Sequence, residues 1–184
     1  MESLLQPWIY RLYPYPGESL SHYLGRFRFA NDLTVSRLAA EAGLGGVLIK
    51  RLEYFRLNPF PTTLQLEKLA SFMEISIEEI LTMLPAQGIG MKLEPIRICT
   101  ACYADRPCHH LEWQYKTTAG CDRHRRRLLS ECPKCKARFP IPSNWQGNCQ
   151  RCGIGYGDMQ VFQKAYRSLL PFRPKSIDSS DCNS

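Results

Sequence analysis

Residues 99–152 read CTACYADRPCHHLEWQYKTTAGCDRHRRRLLSECPKCKARFPIPSNWQGNCQRC. Four two-donor knuckles fall within these 54 residues: C-T-A-C, C-D-R-H, C-P-K-C and C-Q-R-C. Each knuckle leaves two residues between its donors, so both donors can reach one tetrahedral ion. Paired in chain order they give C-x2-C-x18-C-x2-H (Cys99, Cys102, Cys121, His124) and C-x2-C-x13-C-x2-C (Cys132, Cys135, Cys149, Cys152). Both spacings are those of structural zinc sites, with every position filled by thiolate or imidazole. A catalytic zinc keeps one position open for water. The reading is therefore two structural Zn²⁺ ions that fold a small C-terminal module.

Other uses of the cysteines fit less well. A disulfide framework calls for an export signal, and the first ten residues lack a basic stretch followed by an apolar run. A thioredoxin-like redox pair needs one Cys-x-x-Cys beside a βαβ pattern. A zinc deaminase finds a foothold in His110-Leu111-Glu112, an H-x-E, but that chemistry also requires P-C-x-x-C downstream. Here Pro133 follows Cys132, and Pro107-Cys108 has no cysteine three residues on. His109 and His110 then read as surface or packing residues, with Cys108 and Cys182 as spare thiols. No window approaches 18 apolar residues, so no membrane span is expected. Zinc-spaced cysteines without an export signal point to a reducing cytoplasm.

Charge is unevenly placed along the chain. Residues 1–90 carry 8 Lys+Arg against 9 Asp+Glu, whereas residues 91–172 carry 14 against 6. Seven thiolates on two Zn²⁺ ions would lower the second figure by three and leave it basic. A basic half suggests contact with phosphate backbones.

Upstream of the knuckles the chain reads as helical. Residues 1–17 are rich in proline and aromatics, which excludes a regular helix and predicts an extended segment. Its Trp8 and Tyr10 either pack on the chain's own helices or dock on a partner, for which such residues are favoured anchors. Residues 19–30 form an expected helix capped by Ser19, with Leu20, Tyr23, Leu24 and Phe27 inward and Arg26 and Arg28 toward water or a partner. Residues 34–42 follow, ended by Gly43, then residues 46–55 with Val47, Ile49 and Leu52 inward and Lys50, Arg51 and Arg56 outward. Short helices joined by glycine-containing turns outline a helix-turn-helix. Capping boxes at Thr62/Gln65 and Ser76/Glu79 open two more helices, the second burying Ile77, Ile80, Leu81 and Leu84 before Pro85. A net charge of −1 in this half favours protein docking over reading of a major groove, which needs a basic face.

The expected organisation is thus an extended segment (1–17), a mainly α, helix-turn-helix-like domain (18–85), a linker (86–98), a tandem zinc-finger domain (99–172) and a polar tail (173–184). Residues 161–170 read as a last short helix or strand. Trp113 and Tyr115 are expected in the small zinc-module core. Between the two sites, Arg123, Arg125, Arg126 and Arg127 form either a solvated turn or a phosphate-binding edge that Lys134, Lys136, Arg138 and Arg151 extend. Arginine suits the second role because its planar fork grips phosphate through two hydrogen bonds. Trp145 is a candidate for stacking on a base.

Three stretches carry a family resemblance. P-Y-P-G-E-S-L-S-H-Y-L-G-R-F (residues 14–27) resembles the opening signature of the TniQ family of transposition targeting proteins. E-W-Q-Y (112–115) followed by the knuckles is similar to that family's zinc half. G-I-G-M (88–91) with E-P-I-R (94–97) resembles the short TniQ of CRISPR-associated, type V-K-like transposons. The resemblance implies an adaptor without catalysis, joining the AAA+ transposition ATPase TnsC to an RNA-guided, nuclease-inactive CRISPR effector. It further implies contact with guide RNA and target DNA, and a host small-subunit ribosomal protein as a possible further member. Larger relatives carry extra C-terminal DNA-binding domains, which this chain is expected to lack. The contrasting expectation is a stand-alone, sequence-specific DNA-binding regulator using the same helix-turn-helix and zinc fingers.

Overall fold

The computed structural model describes residues 10–167. Five helices build the N-terminal region: α1 (Leu20–Ala30), α2 (Val35–Glu41), α3 (Gly46–Glu53), α4 (Thr63–Met73) and α5 (Ile77–Thr82). Their starts follow from the caps. Ser19 Oγ accepts from the His22 amide, Thr34 caps α2, and both predicted capping boxes form in full at Thr62/Gln65 and Ser76/Glu79. The stripe Leu20, Tyr23, Leu24 and Phe27 is buried against Leu38, Ile49, Leu69, Met73 and Ile80.

Two apolar residues face the other way from the sequence expectation. Val47 is 75% exposed and Leu81 47% exposed. Leu48, Ile49 and Leu52 set the inward face of α3, so Val47 lies on its outer side. Helix α3 also stops at Glu53, and Phe55 turns into left-handed backbone (φ 56°) that carries its ring into a different core.

That second core surrounds Trp113, Tyr156, Ile98 and Met159, all fully buried, together with the cysteines. One helix that the sequence pattern did not announce, α6 (Thr100–Asp105), starts at Cys99. A two-stranded antiparallel hairpin pairs β1 (Gly120–Cys121) with β2 (Arg126–Arg127), and short 3₁₀ turns cover Leu111–Gln114, Pro142–Asn144 and Gly157–Phe162. Residues 168–170, the end of the run expected as a last element, lie outside the described residues; within it Val161 and Phe162 are exposed. Residues 92–98 are stitched to the loop after Trp113. The Arg97 amide donates to Gln114 Oε1 (2.9 Å), and its guanidinium donates to the carbonyls of Thr118 and Tyr115.

The two cores meet along α1. The Ser19 amide donates to the His109 carbonyl (2.8 Å), and the Leu111 amide donates to the Gly17 carbonyl (2.9 Å). A β-carbon at Gly25 would lie 2.3 Å from the Ser143 carbonyl oxygen, so α1 and the turn Pro142–Asn144 touch backbone to backbone. Trp145 is therefore not a platform for a nucleobase: it is buried, edge-on to His22, Tyr103, His109 and Tyr156.

Arg26 and Arg28 also depart from expectation. Glu18 is wholly buried at the joint. It accepts from the Tyr15 amide, the His22 ring and both Nε and Nη2 of Arg26 (2.8 and 2.6 Å). Burial alone would raise the Glu18 carboxyl, but the bonds from His22 and Arg26 outweigh it and hold it below the usual carboxylate range. The Arg26 guanidinium also lies 4.3 Å over the Tyr15 ring. Arg28 pairs with Glu53 at 3.0 Å. Both arginines answer buried carboxylates and not solvent. Replacing Glu18 by Gln keeps the shape and removes the charge, and should cost about 2 kcal/mol in urea unfolding. An unchanged midpoint would mean the network adds no stability.

Candidate metal centres

The structure gathers the eight predicted donors into two groups, in the expected combinations. Cys99, Cys102, Cys121 and His124 form one, and Cys132, Cys135, Cys149 and Cys152 the other; within each, the donor atoms all lie within 4.8 Å of one another. In the first, Cys102 and Cys121 Sγ are 3.5 Å apart, and His124 Nδ1 is 3.1, 3.8 and 3.9 Å from Cys102, Cys121 and Cys99. In the second, the pairs Cys132/Cys152 and Cys135/Cys149 are both 3.6 Å apart. A disulfide needs about 2.05 Å, and these cysteines are free. A tetrahedron with Zn–S of about 2.3 Å has edges of about 3.8 Å. Donor type, number and separation fit tetrahedral metal at both clusters.

Local backbone explains why the knuckles converge. In three of them the residue just after the second donor is left-handed: Arg125 (φ 49°), Lys136 (φ 62°) and Gly153 (φ 74°). That turn lets the Lys136 and Gly153 amides reach back to the Cys132 and Cys149 carbonyls (2.9 and 2.8 Å). The first knuckle instead rides the opening turn of α6.

Two supporting residues escaped the sequence reading. Asp105, at the end of α6, lies 3.2 Å from His124 Nε2 and 2.7 Å from Arg123. With Nδ1 turned to the cluster, the carboxylate fixes the ring through its other nitrogen, as metal-binding histidines require. Gln163 is buried. Its Oε1 accepts from the Thr100 hydroxyl and the Thr100 and Ala101 amides, and its Nε2 donates to the Arg127 carbonyl. Neither stands at a motif spacing, so only the folded chain could reveal them.

The basic residues lie nearby with varied partners. Arg126 and Arg127 are exposed on β2, with Arg126 Nη1 donating to the Gln163 carbonyl (2.9 Å). Lys136 pairs with Glu131 and Arg138 with Glu94, both at 3.6 Å, and Arg151 donates to the Cys135 carbonyl. Arg127 and Lys134 form no ion pair among the described residues. Tyr10 is 58% exposed, its backbone tied in both directions to the Asn31 side chain, while Trp8 lies outside the described residues.

A model of the TniQ family matches residues 9–128, about two-thirds of the chain. The chain belongs to the TniQ family. Comparison with curated proteins gives no match. TniQ proteins are transposition-associated adaptors that catalyse nothing themselves, and this TniQ fits that description. The matched span takes in the Glu18 joint and the whole first cluster, and stops short of the second. No helix among the described residues of this TniQ is long and apolar enough to cross a membrane.

The polar groups that could suggest an enzyme are absorbed in packing. His109 Nδ1 is 2.9 Å from Ser19 Oγ, but both residues are fully buried and that hydroxyl already caps α1. His110 of the H-x-E stacks on Trp113 and joins neither cluster.

Burial holds the His109 ring well below the usual imidazole range, reinforced by His22, His110 and Arg97, with Gln114 opposing. Phe55, Trp113 and Trp145 close around it. A histidine depressed in the folded state contributes its stability above the unfolded pKa, about 6.5, and loses it as pH falls below that. Unfolding midpoints should therefore drop between pH 7 and pH 5.5 more steeply in the parent than in His109→Gln, with metal content checked at each pH. Parallel slopes would remove His109 from the pH response.

Proposed function

We propose that this TniQ is a zinc-folded bridge between the ATPase TnsC and an RNA-guided, nuclease-inactive CRISPR effector. What carries the reading is family membership combined with a helical half locked to a basic half through one buried joint. A bridge must transmit position, and shared backbone contacts along α1 keep two faces in fixed relation. In this reading two Zn²⁺ ions occupy the clusters, and the exposed Tyr10 with Trp8 anchors the ATPase. Arg127 and Lys134, with Arg125 beside them, face guide RNA or target DNA.

The test is RNA-directed insertion in a reconstituted system with Arg127→Glu/Lys134→Glu, whose side chains take no part in the Asp105 and Gln163 contacts, the Gln163 bond at Arg127 being to its backbone carbonyl. Insertion should fall at least about tenfold while zinc content and melting temperature hold. Unchanged insertion would exclude the arginine edge. Sequence-specific duplex binding by the isolated chain would favour a stand-alone regulator.

A further inference from the structure

A groove of about 640 Å³ opens where α3 faces the turn after Phe139, away from both metal clusters. Its near wall is the outward stripe Val47, Lys50 and Arg51 of α3 with the capping residue Tyr54, at the i, i+3, i+4, i+7 spacing of one helix face. Val47 and Tyr54 are 75% and 42% exposed, and half-buried Val35 and Ile141 continue the apolar strip from the two sides.

The charge on this strip is one-sided. Arg28, Lys50, Arg51 and Arg56 line it against the single carboxylate of Glu53, which is buried and already paired with Arg28. Arg51 is held in place by donating to the carbonyls of Arg56 and Pro59. Arg56 lies 5.7 Å from the Tyr54 ring. Among the described residues, Lys50, Arg51 and Arg56 form no ion pair.

Shape decides which anion fits. A recognition helix must project into a duplex major groove, whereas the basic face of α3 is walled by Ile141 and Asn144 from the other half. A concave apolar strip with a cationic rim accepts one peptide segment, whose apolar side chains fill the trough and whose carboxylates meet the rim. We infer that the α3 groove is a docking site for an acidic peptide segment of a partner protein with an apolar anchor. This goes beyond the bridging reading: the groove uses other elements than the arginine edge, and does not depend on that edge binding anything.

The test pans a displayed library of random short peptides on the full, zinc-loaded chain, counter-selected on Lys50→Glu/Arg56→Glu. Recovered peptides should be enriched in Asp and Glu around an aliphatic or aromatic residue. A labelled synthetic example should bind at least about tenfold more weakly to the double variant and to Val47→Asp, and equally well to Arg127→Glu. The substituted residues are exposed, so melting temperature and zinc content should match the parent. The inference is overturned if no peptide is recovered, if acidic residues are not enriched, or if the variants bind equally. It is also overturned if the double variant loses affinity for single-stranded RNA or duplex DNA while peptide binding is unchanged.

Discussion

Removing the metal with a strong chelator is expected to unfold the C-terminal half of this TniQ. The second core is small and interleaved with its ligands: Cys99, Cys102, Cys121, Cys132 and Cys149 are all buried beside Trp113, Trp145 and Tyr156. So few residues bury too little apolar area to fold unaided. Metal binding and folding are then one event, for which apparent stabilisation is about 10 kcal/mol at neutral pH. Tryptophan emission should shift to the red and near-UV circular dichroism collapse. Far-UV signal from α1–α5 should fall less, because their own core contains no donor. Cys132→Ala should reproduce the loss in the presence of zinc. Preserved near-UV signal in metal-free protein would show that packing alone holds this half.

Gly25→Ala is the second large effect. Alanine is favoured over glycine within a helix by about 1 kcal/mol, so at an open site this change stabilises. Here the new methyl would sit 2.3, 2.6 and 2.7 Å from the carbonyl oxygen, Cα and carbonyl carbon of Ser143. Those are backbone atoms, and no rotamer change can clear them. The turn Pro142–Asn144 must withdraw from α1, which also pulls at Trp145 against His22. We expect destabilisation of about 4 kcal/mol and urea unfolding in two steps in place of one. Gly46→Ala is the matched control, since a β-carbon there meets nothing within 4 Å. Its midpoint should hold or rise. A Gly25→Ala midpoint equal to the parent's would mean the halves are not packed through this contact.

The sequence made some features plain because they are local. A Thr-x-x-Gln or Ser-x-x-Glu box announces a helix start within four residues, and a Cys-x-x-Cys knuckle needs only its own turn. The face that a short helix buries is set by distant packing. Over the eight residues of α3 the apolar set fits more than one phase, and long-range packing of Leu48 and Leu52 turned Val47 outward. The fates of Arg26, Arg28 and Trp145 were hidden for a different reason. Periodicity alone does not reveal that a helix surface meets a buried carboxylate, and the partners of Trp145 span residues 22–156. Asp105 and Gln163 likewise take their roles from contacts 19 and 63 residues away in sequence, at His124 and Thr100.

The central claim, that two fully ligated metal sites make this TniQ a connector, is tested most directly by metal analysis with zinc-edge X-ray absorption on the purified chain. The account predicts two zinc ions per chain, sharing seven sulfur donors and one imidazole nitrogen, with no oxygen in either shell. A folded chain holding fewer ions, or a shell containing bound water, would contradict it.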